Sequence, residues 1–428
     1  MTTKKLTARI LFALALSSVL HPRLSAFAQG SLTPSGPPAP VMKSLGQIEP
    51  RTAISSVPFT ITQPGSYYLT TNLTGVGGAS GITIASGGVT LDLNGFALIG
   101  VPGSVNGVYV ATNQYYTNLA VLNGTVRGWG GSGVEAYNGE GEVLERLTVS
   151  DAGGDYGIHA YGAVVRDCTV DTCGTNDSIR VVEGVLSDCT INNSLAESIS
   201  AYRSQVGSCM VNDSGGVGIY AENGSTVFDC VVNNSYSDGI ELYDSQAHDC
   251  VVEHNSTGIY VLKGSVSGCH VENNDADGVD AYDSKVSDCA LVANGYGSSY
   301  GGGIYVAPGT VSGCHVEDNA YSGIYADASG CQIAGNTCLG NNSTNSTADA
   351  GIYLNSSNNR VEANHVMGSG NAGIEVGSGS DTGNIIIKNT VTGDGSNDFV
   401  LPGAQIFGPL ITATGAITSS NPWANFAF

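Results

Sequence analysis

Five residues spread over successive stretches of the chain, His159, Tyr161, Arg180, Tyr202 and Arg203, form its one basic cluster. A lyase or epimerase working on a uronate polymer needs a base of such a type and a cation to neutralise the substrate carboxylate, and this set contains both. The plainer reading is that Arg180 and Arg203 offset acidic surroundings. A hydrolase needs two carboxyl groups about 5 to 10 Å apart. Glu241 and Asp280 meet that only if the repeat between them is bridged.

A second set is aromatic. In a strand, alternate residues face opposite sides, so if Ile240 and Leu242 point inward, Glu241 and Tyr243 point outward. The same rule places Tyr202, Tyr220, Tyr243, Tyr260 and Tyr282 on one outer face, with Tyr161, Tyr305, Tyr325 and Tyr353 in equivalent positions. Flat rings at a regular spacing suit a polysaccharide or cell-surface glycan, although aromatic residues also favour strands for packing alone. The carboxylates Glu241, Asp244, Asp280 and Asp283 read as solvated turn groups, or as a calcium site that relieves repulsion between stacked like charges. The same choice applies to Asp167, Asp188, Asp229, Asp249 and Asp288.

The elements that must hold these residues follow from a repeat. Gly or Ser followed by Ile or Val recurs from Gly107-Val108 through Gly239-Ile240 to Gly373-Ile374, mostly 19 to 28 residues apart. In phase with it runs an apolar residue, two polar ones, a cysteine, any residue and an aliphatic one, as in Val286-Ser287-Asp288-Cys289-Ala290-Leu291. The cysteines of this element are Cys168, Cys189, Cys209, Cys230, Cys250, Cys269, Cys289 and Cys314, and five residues beyond them stand Cys173, Ser194, Ser214, Ser235, Asn255, Asn274, Asn294 and Asn319. The period is too short for helical repeats, and each unit holds short alternations of period two. Each unit is therefore one coil of a stack in which Ile lies on Ile, Cys on Cys and Asn on Asn. A leucine-rich horseshoe is the competing architecture, and its leucines are missing. The cysteines are expected to be buried thiols, since strand spacing is wide for the Cβ separation of a disulfide, with one or two coil-to-coil bridges as the alternative.

Asn359-Arg360-Val361-Glu362-Ala363-Asn364 and Asn384-Ile385-Ile386-Ile387-Lys388-Asn389, with the Gly-Ile elements, resemble the right-handed parallel β-helix repeat family of the pectate-lyase-like superfold. The resemblance implies an all-β, single-stranded solenoid of about 12–14 coils. It leaves activity open, because that superfold carries lyases, hydrolases, epimerases and binding proteins. None of the catalytic motifs of its polygalacturonase or alginate-epimerase relatives occurs here.

The organisation expected is a signal peptide over 1–28, a Pro/Gly/Ser-rich spacer over 29–46, an N-terminal cap over 47–80, the β-helix over 81–400 and a C-terminal cap over 401–428. Lys4, Lys5 and Arg9 precede an apolar run from Ile10 to Leu20, and Ala26-Phe27-Ala28 suits cleavage, so a secreted, periplasmic or surface destination is expected. The run is too short to span a membrane. Without residues 1–28 the chain has 11 basic against 37 acidic residues, a net of −26. That charge argues against nucleic acid and against a polyanion bound without a bridging cation. The reading is an exported protein, expected to be monomeric, that binds a polysaccharide along the tyrosines or serves as a structural solenoid. The alternative is a lyase or epimerase, or less readily a hydrolase. Long regular repeats leave few loops for a catalytic shell, and the longest interruptions, Gly295 to Gly303 and Asn341 to Gly351, are short.

Overall fold

The computed structural model describes residues 49–428 apart from positions 113, 299–300, 413–414 and 417–418. The expected signal peptide and spacer lie outside the described residues. The folded body runs from Arg51 to Phe428.

Each repeat gives three short strands, as in Ile240–Tyr243, Gln246–His248 and Val251–Glu253. Each strand pairs in parallel with its equivalent one coil on. The Gly-Ile segments build a sheet of sixteen strands, and the other two faces form a sheet of thirty-two. Sixteen turns exceed the 12–14 expected, because coils at both ends lack the Gly-Ile signature. Phe59–Ile61 pairs with Ile82–Ile84, and Asn397–Val400 stacks on Ala372–Val376. Residues assigned above to the N-terminal cap thus supply strands of their own from Thr52 onward.

Single left-handed residues turn the chain at its corners. In one coil these are Asp244, Asp249 and His254, with φ of 49°, 56° and 57°. Asp and Asn tolerate that region better than most side chains, since their short polar groups bond locally. The aspartates that precede cysteines, Asp167, Asp188, Asp229, Asp249 and Asp288, all have φ between 52° and 57°. Their recurrence therefore has a backbone cause.

Inside the stack, Ile219, Ile240, Ile259, Val279, Ile304, Ile324, Ile352 and Ile374 lie in register and are fully buried. Each such side chain stabilises the fold by about 1.5–3 kcal/mol at most. The eight in-phase cysteines, from Cys168 to Cys314, are buried and unbridged. Each thiol donates to the carbonyl two residues back at 3.2–3.5 Å, which satisfies it within its own corner. At the next coil the same corner becomes Asn336, whose Oδ1 accepts from the Cys314 N–H at 3.0 Å. A second corner carries Asn255, Asn274, Asn294, Asn319 and Asn341, and each Oδ1 after the first accepts from the preceding Asn side chain at 2.9–3.1 Å.

Candidate functional site: a tyrosine ladder and its carboxylate cleft

The sixteen-stranded sheet has two outward positions per strand. The first reads Tyr220, Glu241, Tyr260, Asp280, Tyr305, Tyr325 and Tyr353 in consecutive coils. The second reads Tyr202, Glu222, Tyr243, Leu262 and Tyr282. Because tyrosine alternates between the two columns and then settles in the first, seven rings from Tyr220 to Tyr353 form one unbroken zigzag. Neighbouring centroids are 5.1–5.8 Å apart. Every inner ring has a ring on both sides, so the ladder offers solvent its edges and hydroxyls more than bare faces. Of the five tyrosines expected to bind, Tyr202 stands outside this chain, beneath the Arg203 guanidinium at 4.8 Å.

Toward its C-terminal end the ladder runs into a cavity of about 550 Å³. The floor is Asp280, Tyr282, Tyr305, Tyr325 and Asp327, and the walls are Gly301, Gly302, Ser322, Ala348 and Asp349 with Asp277. Both longer interruptions of the repeat, which sequence reasoning had set aside as too short for a site, supply wall residues. Gly302 is required where it stands, since a Cβ there would meet the backbone of Ser322. Its N–H donates to Asp277 Oδ1 at 2.7 Å.

Donors inside the cleft are assigned to particular carboxyls. Tyr305 Oη donates to Asp327 Oδ2 at 2.6 Å, and Asn355 Nδ2 to Asp327 Oδ1 at 2.7 Å. Ser322 Oγ donates to Asp349 Oδ1 at 2.7 Å. Asp280 shares a hydrogen bond with Tyr282, while its Oδ1 is buried without a partner among the described residues. Burial, and then the neighbouring Asp277 charge, push the Asp280 carboxyl up to about 7. Burial alone among the larger causes pushes Asp277 up to about 6, against the Gly302 N–H. Burial and the Asp280 charge hold the Tyr282 hydroxyl up to about 12, so it remains a donor.

The basic cluster is assembled differently from the expectation. His159 and Arg180 are register neighbours. Yet His159 is clamped between Tyr137 and Tyr156, with centroids at 4.6 and 4.2 Å, and its Nδ1 lies 2.8 Å from Glu135 Oε1. Its Nε2 is buried rather than open to a substrate. Arg180 lies 3.6 Å from Asp177, while Arg203 and Tyr161 both bond Glu183 at 3.1 and 2.8 Å. These cations are therefore engaged by carboxylates that the sequence reading left out. Asp177 two residues before Ile179, and Glu183 directly before Gly184, were the signals available in the sequence.

The four carboxylates considered for calcium are not gathered into one place. Asp244 and Asp283 are corner residues two coils apart, and Lys263 occupies the same corner between them, since Tyr243, Leu262 and Tyr282 are in register. A lysine therefore stands between the two aspartates in that corner column. Glu241 accepts from Tyr243 Oη at 2.6 Å, and Asp280 belongs to the cleft. Among the described residues no group of three or more His, Cys, Asp or Glu has the arrangement of a metal site.

No curated protein matches the chain. Among solved structures, the A-module of the mannuronan C-5 epimerase of Azotobacter vinelandii is similar at 12% identity and a TM-score of 0.35, over 84% of this chain and 88% of that one. The tailspike protein of E. coli bacteriophage HK620, solved in complex with a pentasaccharide, is similar at 14% identity and a TM-score of 0.45, over 85% and 72%. The catalytic domain of a GH87 α-1,3-glucanase, solved with tetrasaccharides, gives 10% and 0.36, over 73% and 60%. The sequence profile described as right handed beta helix region matches residues 106–256, 200–338 and 309–421, well over half of the chain, and the chain belongs to that family.

Proposed function

We propose that this protein binds a neutral polysaccharide along the tyrosine ladder, with the chain seated in the cleft at the ladder's C-terminal end. The observation that carries the reading is the continuity of seven rings with a cavity of about 550 Å³. A ladder of phenol edges and hydroxyls parallel to the helix axis matches an extended polymer better than a small ligand. Its hydroxyl donors and carboxylate acceptors suit sugar hydroxyls. A neutral polymer is favoured because the chain carries a net charge of −22 and the cleft is walled by aspartates, which would repel a polyanion. Export to the cell surface or beyond, inferred from the N-terminal residues, would put the protein where such polymers occur.

Affinity electrophoresis in gels cast with amylose, xylan or β-mannan tests this. Retardation in at least one gel, reversed by the free oligosaccharide, is expected. Unretarded migration in all three would remove the binding reading and favour a structural solenoid.

A further inference from the structure

The cleft contains more than a binding surface requires. Asp280 lies in the first outward column and Asp327 in the second, two coils further on, with the coil of Tyr305 between them. Asp280 interacts with the Tyr282 hydroxyl, Tyr282 with Tyr305 and Tyr305 with Asp327, so contacts of about 3 Å each put the nearest oxygens of the two carboxyls no more than about 9 Å apart. Carboxyls about 6.5–9.5 Å apart leave room for a sugar on one side and a water on the other. The two groups also differ in surroundings. Asp327 is held from both oxygens, by Tyr305 and Asn355. Asp280 has a buried oxygen with no partner among the described residues.

We propose that this cleft hydrolyses a glycosidic bond of the bound neutral polysaccharide with inversion, Asp280 protonating the leaving oxygen and Asp327 activating the water. The inference rests on the polysaccharide-binding reading and adds a reaction to it. In the step, the bond between the anomeric carbon and the bridging oxygen breaks, and its electron pair stays on that oxygen. The oxygen takes the Asp280 proton. Water attacks the anomeric carbon from the opposite face and gives its proton to Asp327. The products are a new reducing end and a new alcohol, with the two carboxyls having exchanged protonation states. No oxidant, metal or cofactor enters the balance.

Burial and the Asp277 charge keep a proton on Asp280 to about pH 7, as a general acid requires. Asp277 is the deeper carboxyl. Bound to the Gly302 N–H, it acts on Asp280 through its charge.

The experiment uses the full chain and whichever of amylose, xylan or β-mannan retards it. Reducing ends are measured over time, and the anomer first released is read by proton NMR. Release of the inverted anomer is expected, with Asp280→Asn and Asp327→Asn each lowering the rate at saturating polysaccharide on the order of a thousandfold. Melting of both variants controls for folding. Retardation without reducing ends would overturn hydrolysis and leave binding intact, whereas absence of both would remove the two readings together. A product of retained configuration, or an Asp280→Asn protein within about tenfold of the native rate, would overturn the assignment of roles.

Discussion

The hydroxyl of Tyr305 donates a 2.6 Å hydrogen bond to Asp327, two residues beyond the tyrosine that stacks on its own ring. One residue thus serves two ends: its ring belongs to the ladder and its hydroxyl holds a carboxylate across the cleft. Tyr305→Phe separates them, because it keeps the ring and removes the donor. Binding should stay within about twofold, while hydrolysis should fall roughly tenfold, the effect of one lost hydrogen bond to a charged group. Equal losses in both, measured on the same polysaccharide, would show that the hydroxyl acts on the ligand directly.

The ladder itself is tested by removing two rings. Tyr243→Ala with Tyr282→Ala leaves Tyr260 with neither of its ring neighbours. Each ring is expected to contribute on the order of 1 kcal/mol, so the pair should weaken retention roughly tenfold or more. Far-ultraviolet circular dichroism should be unchanged, since both side chains point away from the core. Unaltered retention would mean that the ladder is packing only.

How much of this was legible follows from where each signal lives. Stacking needs only like residues at like phase, so Ile240 on Ile259 and Asn274 on Asn294 could be read from the spacing. The first coil was read as a cap because Phe59 fills the isoleucine column without a glycine before it. The outward tyrosines were legible by alternation, but their contact with one another was not, since it depends on which of two columns each occupies. Asp327 obeys the same alternation, but by position alone it does not differ from the solvated carboxylates of other turns. Asp277 and Asp349 were illegible in another sense. They become wall residues only when two irregular connections fold over the sheet, and no period marks where such connections go.

Glu142 gives a stability prediction with a definite sign. It is 1% exposed, neither carboxyl oxygen has a partner among the described residues, and burial pushes its carboxyl from 4.5 up to about 8. The room for it exists because Gly139 has no Cβ to collide with its side chain. Below pH 4.5 both folded and unfolded chains hold the proton, and the group adds no pH dependence to stability. Between 4.5 and about 8 the unfolded chain releases a proton that the folded one retains, so this group lowers stability as pH rises. Glu142→Gln should therefore melt close to the native protein at about pH 4 and clearly above it at about pH 9. The same shift at both values would contradict burial as the cause.

The thiols can be counted. All eleven cysteines are buried and free. In denaturant without reductant, eleven should react with a thiol reagent, and almost none should do so quickly in the native protein. A shortfall in steps of two would mean that neighbouring coils are joined by disulfides, and that the cysteine column is a covalent seam.

The C-terminal segment ends the stack through hydrogen bonds more than through apolar cover. Ile406–Phe407 pairs with Ile385–Ile386, and Asn425 Oδ1 accepts from the backbone and side chain of Asn389 at 2.9 and 3.2 Å. Yet Ile406, Phe407 and Trp423 remain 59%, 48% and 49% exposed, so this end already presents apolar surface. Removing residues 405–428 would take away those side chains and also strip the partners from Asn384 and Asn389 and from the edge of the preceding strands. The two losses act in opposite directions on association. An open strand edge and unsatisfied buried amides weigh more, because each buried polar group without a partner costs about 1–3 kcal/mol while exposed apolar groups already pay for their hydration. The truncated chain should therefore melt lower and associate as its concentration rises, as read by sedimentation velocity. A monomer with unchanged melting would show that the coil ending at Thr392 closes the stack unaided.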